Sequence, residues 1–144
     1  CDALFRPGRY AARVLVARGA YAQVHRCSLP SELGTLHSSE VALKLVDTPL
    51  STHDPTSAVD VYAEIAVFEA LAQSPWVAKL FDYGVAGESF YIVMQHYPAS
   101  LKQWRTAHVC GPGAGERAPQ MLLYLSVYSQ CIQAVAALEQ YGVV

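Results

Sequence analysis

The sequence predicts an α+β fold, in which a five-stranded antiparallel sheet carries one packed helix and is followed by a helical segment. Two pairs of short runs rich in β-forming residues, 10–16 with 21–27 and 77–84 with 89–95, are each separated by turn residues and predict two hairpins. The turn of the second pair is Val85-Ala86-Gly87-Glu88. A further run at residues 40–47 is more continuously apolar, which favours a strand that is buried on both faces.

The packed helix is predicted over residues 58–73, between the third and fourth strands. Asp54 or Ser57 can serve as its N-cap residue, and Pro55 suits its first turn. Apolar residues at helical spacing form a stripe that is expected to face the sheet. The stripe consists of Val61, Ile65, Phe68 and either Leu71 or Ala72.

The helical segment comprises a short helix near residues 100–104 and a long one over roughly residues 119–140, which Gly142 stops. Residues 106–119 are rich in Gly and Pro and predict a loop, and residues 28–39 predict a long surface connection. The inward stripe of the long helix is predicted to contain Leu122, Leu125, Tyr128 or Ser129, Ile132, Val135, and Leu138 or Glu139.

The composition excludes several classes of protein. With 53% hydrophobic and 15% charged residues among 144, the chain is too apolar for a disordered protein. The net charge of −2 gives no reason to expect nucleic acid as a partner. The hydrophobic residues are scattered rather than gathered in one run, so no membrane span is expected. The start at Cys1, without an initiator Met or a signal-peptide pattern, is interpreted as a piece of a longer gene product.

The four cysteines, Cys1, Cys27, Cys110 and Cys131, form no C-x-x-C pair and do not cluster with the five histidines. A zinc site is therefore not expected, and no metal-ligating residue is assigned in the chain. Reduced thiols are typical of a cytoplasmic protein, which is the localisation we expect.

The candidate functional centre is Lys44, which lies within the apolar strand Val41-Ala42-Leu43-Lys44. A buried ammonium group is costly unless it has a partner. Glu64 is one helical turn from Val61 and from Phe68, so it lies on the inward stripe and is predicted to pair with Lys44. Two alternatives remain: Glu64 reaches solvent at the edge of the helix face, or the pair is a structural feature of an unrelated α+β interaction module.

The loop before this strand has the sequence Ala17-Arg18-Gly19-Ala20-Tyr21-Ala22-Gln23-Val24. Glycines in such a loop let the backbone approach phosphate oxygens and direct N–H groups at them. Only Gly19 is a glycine here. Alanine resists a positive φ, so close approach at Ala17 and Ala22 is expected to be less easy.

The order of these features resembles the N-terminal lobe of a eukaryotic-type protein kinase, with its phosphate loop, Ala-x-Lys strand and helix carrying a glutamate. The segment Tyr91-Ile92-Val93-Met94-Gln95-His96-Tyr97 resembles the last sheet strand running into the hinge between the lobes. The resemblance implies a lobe and hinge at residues 1–97. It also implies the helical beginning of the second lobe at residues 98–144.

The resemblance also implies a site that binds ATP with Mg²⁺. Lys44 would hold the α- and β-phosphates and Glu64 would fix the lysine, which makes these two the catalytic residues of the chain. Met94 falls at the gatekeeper position of the adenine pocket. The whole nucleotide-binding set implied is Val16, Ala17, Gly19, Tyr21, Ala22, Val24, Ala42, Lys44, Met94, Gln95, Tyr97 and Ser100.

The activity implied for the parent protein is transfer of the γ-phosphate of ATP to hydroxyl groups of a protein substrate, with Ser/Thr preferred over Tyr. The catalytic H-R-D-x-x-x-x-N and metal-binding D-F-G motifs do not occur in these 144 residues, so this chain alone is expected to be inactive. The magnesium ligands are expected downstream, and the apolar stripe of the long helix is expected to be exposed. Two alternatives remain for the function of the parent protein. One is a pseudokinase scaffold, which Ala17 and Ala22 favour because they replace glycine in the phosphate loop, and the other is a small-molecule phosphotransferase.

Overall fold

A computed structural model describes residues 10–28, 40–46, 56–87, 89–109 and 117–143. The chain divides into two compact units. The first unit comprises residues 1–72 and 78–96, and the second comprises residues 73–77 and 97–144.

The first unit contains one antiparallel sheet of five strands in the order β1-β2-β3-β5-β4, which confirms the predicted fold class. One helix, α1, follows the third strand in the chain. The bounds are β1 (Ala11–Arg18), β2 (Ala22–Ser28), β3 (Glu40–Val46), α1 (Thr56–Ala70), β4 (Leu80–Ala86) and β5 (Ser89–Gln95).

Helix α1 packs on one face of the sheet through the stripe that its sequence predicts. Val61 and Ile65 are buried, and Phe68 is partly buried against the same core; Leu71, directly after the helix, is also buried. The helix ends at Ala70 rather than at residue 73. The described residues do not include the predicted cap residues Asp54 and Pro55 or the side chain of Ser57. They also leave out most of the predicted connection over residues 28–39. The core on this face contains Val46, Val61, Ile65, Phe90 and Ile92.

The opposite face of the sheet carries a second apolar core. Tyr10 is buried there, and its hydroxyl donates a 2.7 Å hydrogen bond to Oδ2 of Asp82 on β4. Cys27 is fully buried, and this burial raises the pKa of its thiol against the opposing charge of Arg13. The core on this face contains Tyr10, Cys27, Val41, Leu43, Tyr91 and Val93. Both faces of β3 are therefore covered, as its continuous apolar pattern predicts.

The first hairpin is longer than its sequence predicts. Residues 17–20 were expected to form the connection, but β1 continues to Arg18, which pairs with Gln23. The N–H of Gly19 donates a 2.8 Å hydrogen bond to the carbonyl oxygen of Ala22, which closes the turn. Strand β1 also contains two irregularities, and one includes Ala12 at φ 51°.

Gly84 on β4 allows the buried ring of Tyr91 on β5 to lie against the backbone. A Cβ at position 84 would lie 3.0 Å from Oη and 3.1 Å from Cε1 of Tyr91. The Tyr91 ring is 2% exposed and packed in the core, so it has little room to move away. We expect Gly84→Ala to lower the free energy of unfolding by about 1–3 kcal/mol, measured by urea unfolding.

Gly19→Ala is the matched control for this substitution. A Cβ at position 19 would meet only the carbonyl oxygen of Ala22 at 3.6 Å, which is an ordinary contact, and the backbone there has no positive φ. The control is expected to leave stability unchanged, or to raise it by less than about 1 kcal/mol through the unfolded state. Equal effects of the two substitutions would contradict the packing role assigned to Gly84.

The second unit contains α2 (Leu101–Val109) and α3 (Arg117–Gln140). The prediction of a loop over residues 106–119 is wrong at both ends, since residues 106–109 continue α2 and residues 117–119 belong to α3. Helix α2 begins with a reciprocal cap. The Gln103 N–H donates to Oγ of Ser100 at 3.2 Å, and the Ser100 N–H donates to Oε1 of Gln103 at 2.8 Å.

Helix α3 ends at Gln140, and Gly142 terminates it as the sequence predicts. Gly142 has φ 68°, its N–H donates to the carbonyl of Glu139, and the N–H of Val143 donates to the carbonyl of Leu138. These two bonds define a Schellman motif, which satisfies carbonyl groups at the end of the helix.

The predicted inward stripe of α3 is exposed, in agreement with the expectation from its sequence. Exposed members are Leu122, Leu125, Tyr128, Ile132 and Val135. By length and composition alone, Met121–Gln140 is also able to cross a membrane. The expectation that the chain has no membrane span therefore stays a prediction.

Candidate functional site

The predicted ion pair between Lys44 and Glu64 is present. Lys44 is in the middle of β3, on the face that α1 covers, and Glu64 comes one turn after Val61 and directly before Ile65 on α1. Nζ of Lys44 donates to Oε1 and Oε2 of Glu64 at 2.8 Å and 2.6 Å. One ammonium group is thus held by both oxygens of one carboxylate.

The ion pair is partly open to solvent. The side chains of Lys44 and Glu64 are 24% and 34% exposed. A partly solvated pair contributes little to stability, about 0–1 kcal/mol, because water screens the attraction. Its main effect is geometric, since it fixes the ammonium group at one place on the sheet.

The sheet register places several predicted nucleotide-binding residues on the face that carries Lys44. Directly paired residues point to the same face of an antiparallel sheet. Ala17 on β1 pairs with Val24 on β2, which pairs with Lys44 on β3. In the neighbouring row on the same face, Ala42 pairs with Met94 on β5. The register therefore forms a mostly apolar surface beside one cation.

The predicted phosphate loop adopts a conformation that alanine tolerates. Ala17 and Ala22 stand at the first and third glycine positions of the kinase loop pattern. Within residues 10–28, only Ala12 has a positive φ, so the backbone at Ala17 and Ala22 is unstrained. However, the N–H of Gly19 donates its hydrogen bond to the carbonyl oxygen of Ala22 within the hairpin turn. Tyr21 is 78% exposed at the tip. The exposed Val16 lies at an irregularity in the β1–β2 pairing.

The remaining predicted residues are divided between the two units. Gln95 ends β5 in the first unit, where its N–H donates to the carbonyl of Lys79 at 2.8 Å. Tyr97 and Ser100 belong to the second unit. The hydroxyl oxygen of Ser100, expected to approach a ribose, accepts the capping hydrogen bond from the Gln103 backbone. The S-x-x-Q spacing was the sequence signal for this capping role.

Two glutamates of the first unit make polar contacts that were not foreseen from the sequence. Glu69 on α1 is exposed, and its Oε1 accepts a 2.7 Å hydrogen bond from the hydroxyl of Tyr83 on β4. Glu40, the first residue of β3, lies close to two basic side chains. Its Oε1 is 3.6 Å from Nε of Arg26, and its Oε2 is 3.6 Å from Nδ1 of His96. The alternation along β4 places Tyr83 on the α1 face, but the sequence does not specify which helix residue it meets.

Within the part of the chain that the structure describes, no group of three or more His, Cys, Asp or Glu residues has the geometry of a metal site. The expectation that magnesium ligands lie outside this chain stays a prediction.

The comparison with known proteins connects this arrangement with one class of enzyme. No family model matches the chain. The chain is similar to a probable serine/threonine-protein kinase of Dictyostelium discoideum, with 38% identity over 90 residues. The matched segment is 62% of this chain, and the chain spans only 4% of the length of that protein.

The first unit has the architecture of a protein-kinase N-terminal lobe, namely a five-stranded antiparallel sheet with one packed helix. Together with the sequence match, this architecture confirms the kinase resemblance. The chain is related to protein kinases.

Proposed function

We propose that the α1 face of the sheet binds ATP and that Lys44 holds its α- and β-phosphates. The observation that carries this proposal is the ion pair of Lys44 with both oxygens of Glu64, at 2.8 Å and 2.6 Å. A lysine ammonium group has three N–H donors. Two of them are directed at Glu64, and the third would donate to a phosphate oxygen.

The surroundings of Lys44 suit a nucleotide. The apolar side chains of Val24, Ala42 and Met94 lie on the same face and offer a surface on which an adenine ring can pack. The solvent-exposed part of the Lys44 side chain gives the phosphates access to the cation. Val16 and the hairpin tip at Gly19 and Tyr21 would cover the phosphates, and Gln95 at the end of β5 would lie at the adenine end of the site.

In the full-length protein, we propose that this site supports phosphoryl transfer from ATP to a Ser or Thr hydroxyl of a protein substrate. Phosphoryl transfer depends mainly on positioning and on neutralising charge, and bound Mg²⁺ would supply much of that neutralisation. The residues of this chain contribute one part of that task. Lys44 orients the phosphates, and Glu64 keeps Lys44 in place.

The first test is nucleotide binding by the full-length protein. If the proposal is correct, ATP at about 100 times its Kd raises the free energy of unfolding by about 2.7 kcal/mol, because the ligand binds only the folded state. The measurement is thermal unfolding with ATP, with adenosine and without ligand. Absence of any nucleotide-dependent shift would contradict the proposal, whereas binding without transfer of label from ATP would identify a pseudokinase.

A further inference from the structure

Helix α1 has a second polar attachment to the sheet, five positions beyond Glu64. The Tyr83 hydroxyl on β4 donates a 2.7 Å hydrogen bond to Oε1 of Glu69. This hydrogen bond and the negative charge of Glu69 raise the pKa of Tyr83. A tyrosine hydroxyl is protonated at neutral pH in any case, so Tyr83 acts as the donor of this bond although its side chain reaches the surface.

The register of the sheet relates this attachment directly to Lys44. Lys44 on β3 pairs with Ile92 on β5, and Ile92 pairs with Tyr83 on β4. The three residues form one row on the face that α1 covers. Each end of the row makes a polar bond to α1, while the buried Ile92 lies between them in the core that contains Ile65.

The spacing of the two glutamates matches the spacing of the two strands. Five helical positions correspond to a rise of about 7.5 Å along the axis. Strands β3 and β4 are two sheet positions apart, which corresponds to about 9–10 Å. One helix can therefore bond to both strands from Glu64 and Glu69.

Two such attachments constrain the position of α1 in a way that the apolar stripe does not. A stripe of aliphatic side chains is non-directional, so it permits small rolls and shifts of the helix over the sheet. The hydrogen bonds are directional, and they differ in position both along and around the helix. A shift that breaks the bond of Glu69 to Tyr83 also moves Glu64 relative to Lys44.

We propose that Tyr83 is a positioning residue of the nucleotide site, which holds α1 through Glu69 so that Glu64 keeps the Lys44 ammonium group directed at the phosphates. This inference rests on the proposed function. Tyr83 itself touches no nucleotide in this proposal. It acts only on the phosphate end of the site, through the helix.

The test compares two ligands in the full-length protein. Tyr83→Phe removes the hydroxyl and keeps the ring. We expect its affinity for ATP to fall about threefold to tenfold, the loss typical of one ordinary net hydrogen bond, while its affinity for adenosine stays unchanged. Adenosine has no phosphate and therefore does not sense the position of Lys44. Both affinities are measured by calorimetry, together with the unfolding midpoint.

Matched variants separate positioning from general destabilisation. Tyr62→Phe removes a hydroxyl from the exposed side of α1 while keeping the ring that contacts Phe90, and it should leave both affinities unchanged. Glu69→Ala should reproduce the effect of Tyr83→Phe. Glu69→Gln should restore ATP affinity to within about twofold of wild type, because an amide oxygen still accepts the bond.

The outcomes distinguish this inference from the function on which it rests. If the wild-type protein binds no ATP, both are wrong. If the wild type binds ATP and Tyr83→Phe binds ATP as well as wild type does, only the positioning role of Tyr83 is overturned. A proportional loss of ATP and adenosine affinity would likewise overturn it, because that result indicates general damage to the fold.

Discussion

Lys44→Met in the full-length protein is expected to lower kcat for phosphoryl transfer by about 10²–10³-fold, the loss typical of removing one donor that stabilises developing negative charge. The methionine side chain keeps most of the length and apolar contacts of lysine on β3 but carries no charge. Glu64 would lose its partner, yet its side chain is 34% exposed and can be hydrated. The fold should therefore persist, which circular dichroism checks beside a labelled-ATP transfer assay.

Lys79→Met is the control for the Lys44 substitution. Lys79 is exposed immediately before β4 and bonds to Gln95 only through its backbone, so its replacement removes the same charge while keeping those bonds. Transfer should continue at the wild-type rate in this variant. Unchanged activity in Lys44→Met would remove the basis of the proposed function, and loss of secondary structure in that variant would show that the lysine is primarily structural.

Ile65→Ala is expected to destabilise the first unit by about 2–5 kcal/mol, the range measured for truncating a buried aliphatic side chain to alanine. Ile65 is 5% exposed and lies in the core that joins α1 to Phe90 and Ile92. Removing its outer carbons leaves a cavity that the surrounding side chains fill only in part. Urea unfolding, followed by far-ultraviolet circular dichroism, measures the change.

Val59→Ala provides the control on the same helix. Val59 is on the exposed side of α1, so its truncation should change stability by no more than about 0.5 kcal/mol. If the two variants were equally stable, α1 would not be attached to the sheet through Ile65. Such a result would also weaken the assignment of Glu64 as the residue that positions Lys44, because Glu64 is adjacent to Ile65 on the helix.

The sheet and its helix were predictable because their sequence patterns are local. Alternation and turn residues indicate strands without knowledge of their neighbours, and the apolar stripe of α1 identifies its buried face. The pairing of Lys44 with Glu64 followed from a simple requirement: two charged groups on apolar faces need each other. That requirement involves residue types and burial rather than detailed coordinates.

Other features could not be predicted because they depend on geometry between distant elements. Glu69 carries no sign that it meets Tyr83, since the partner depends on how α1 is rotated over β4. The loop prediction failed at residues 106–109 because a helix tolerates Thr, Ala and His when earlier residues have nucleated it. The conformation of Ala17 and Ala22 was likewise set by the hairpin rather than by their intrinsic preferences.

The hydrogen bond from Tyr10 to Asp82 has a consequence for biosynthesis. It joins residues 72 positions apart in the chain, across a sheet in which β4 is an edge strand. During translation, Tyr10 leaves the ribosome several seconds before its acceptor has been synthesised, at about 5–20 residues per second. The apolar residues of β2 and β3 therefore stay uncovered until β4 and β5 have been synthesised, and transiently exposed surface of this kind makes a folding intermediate prone to aggregate.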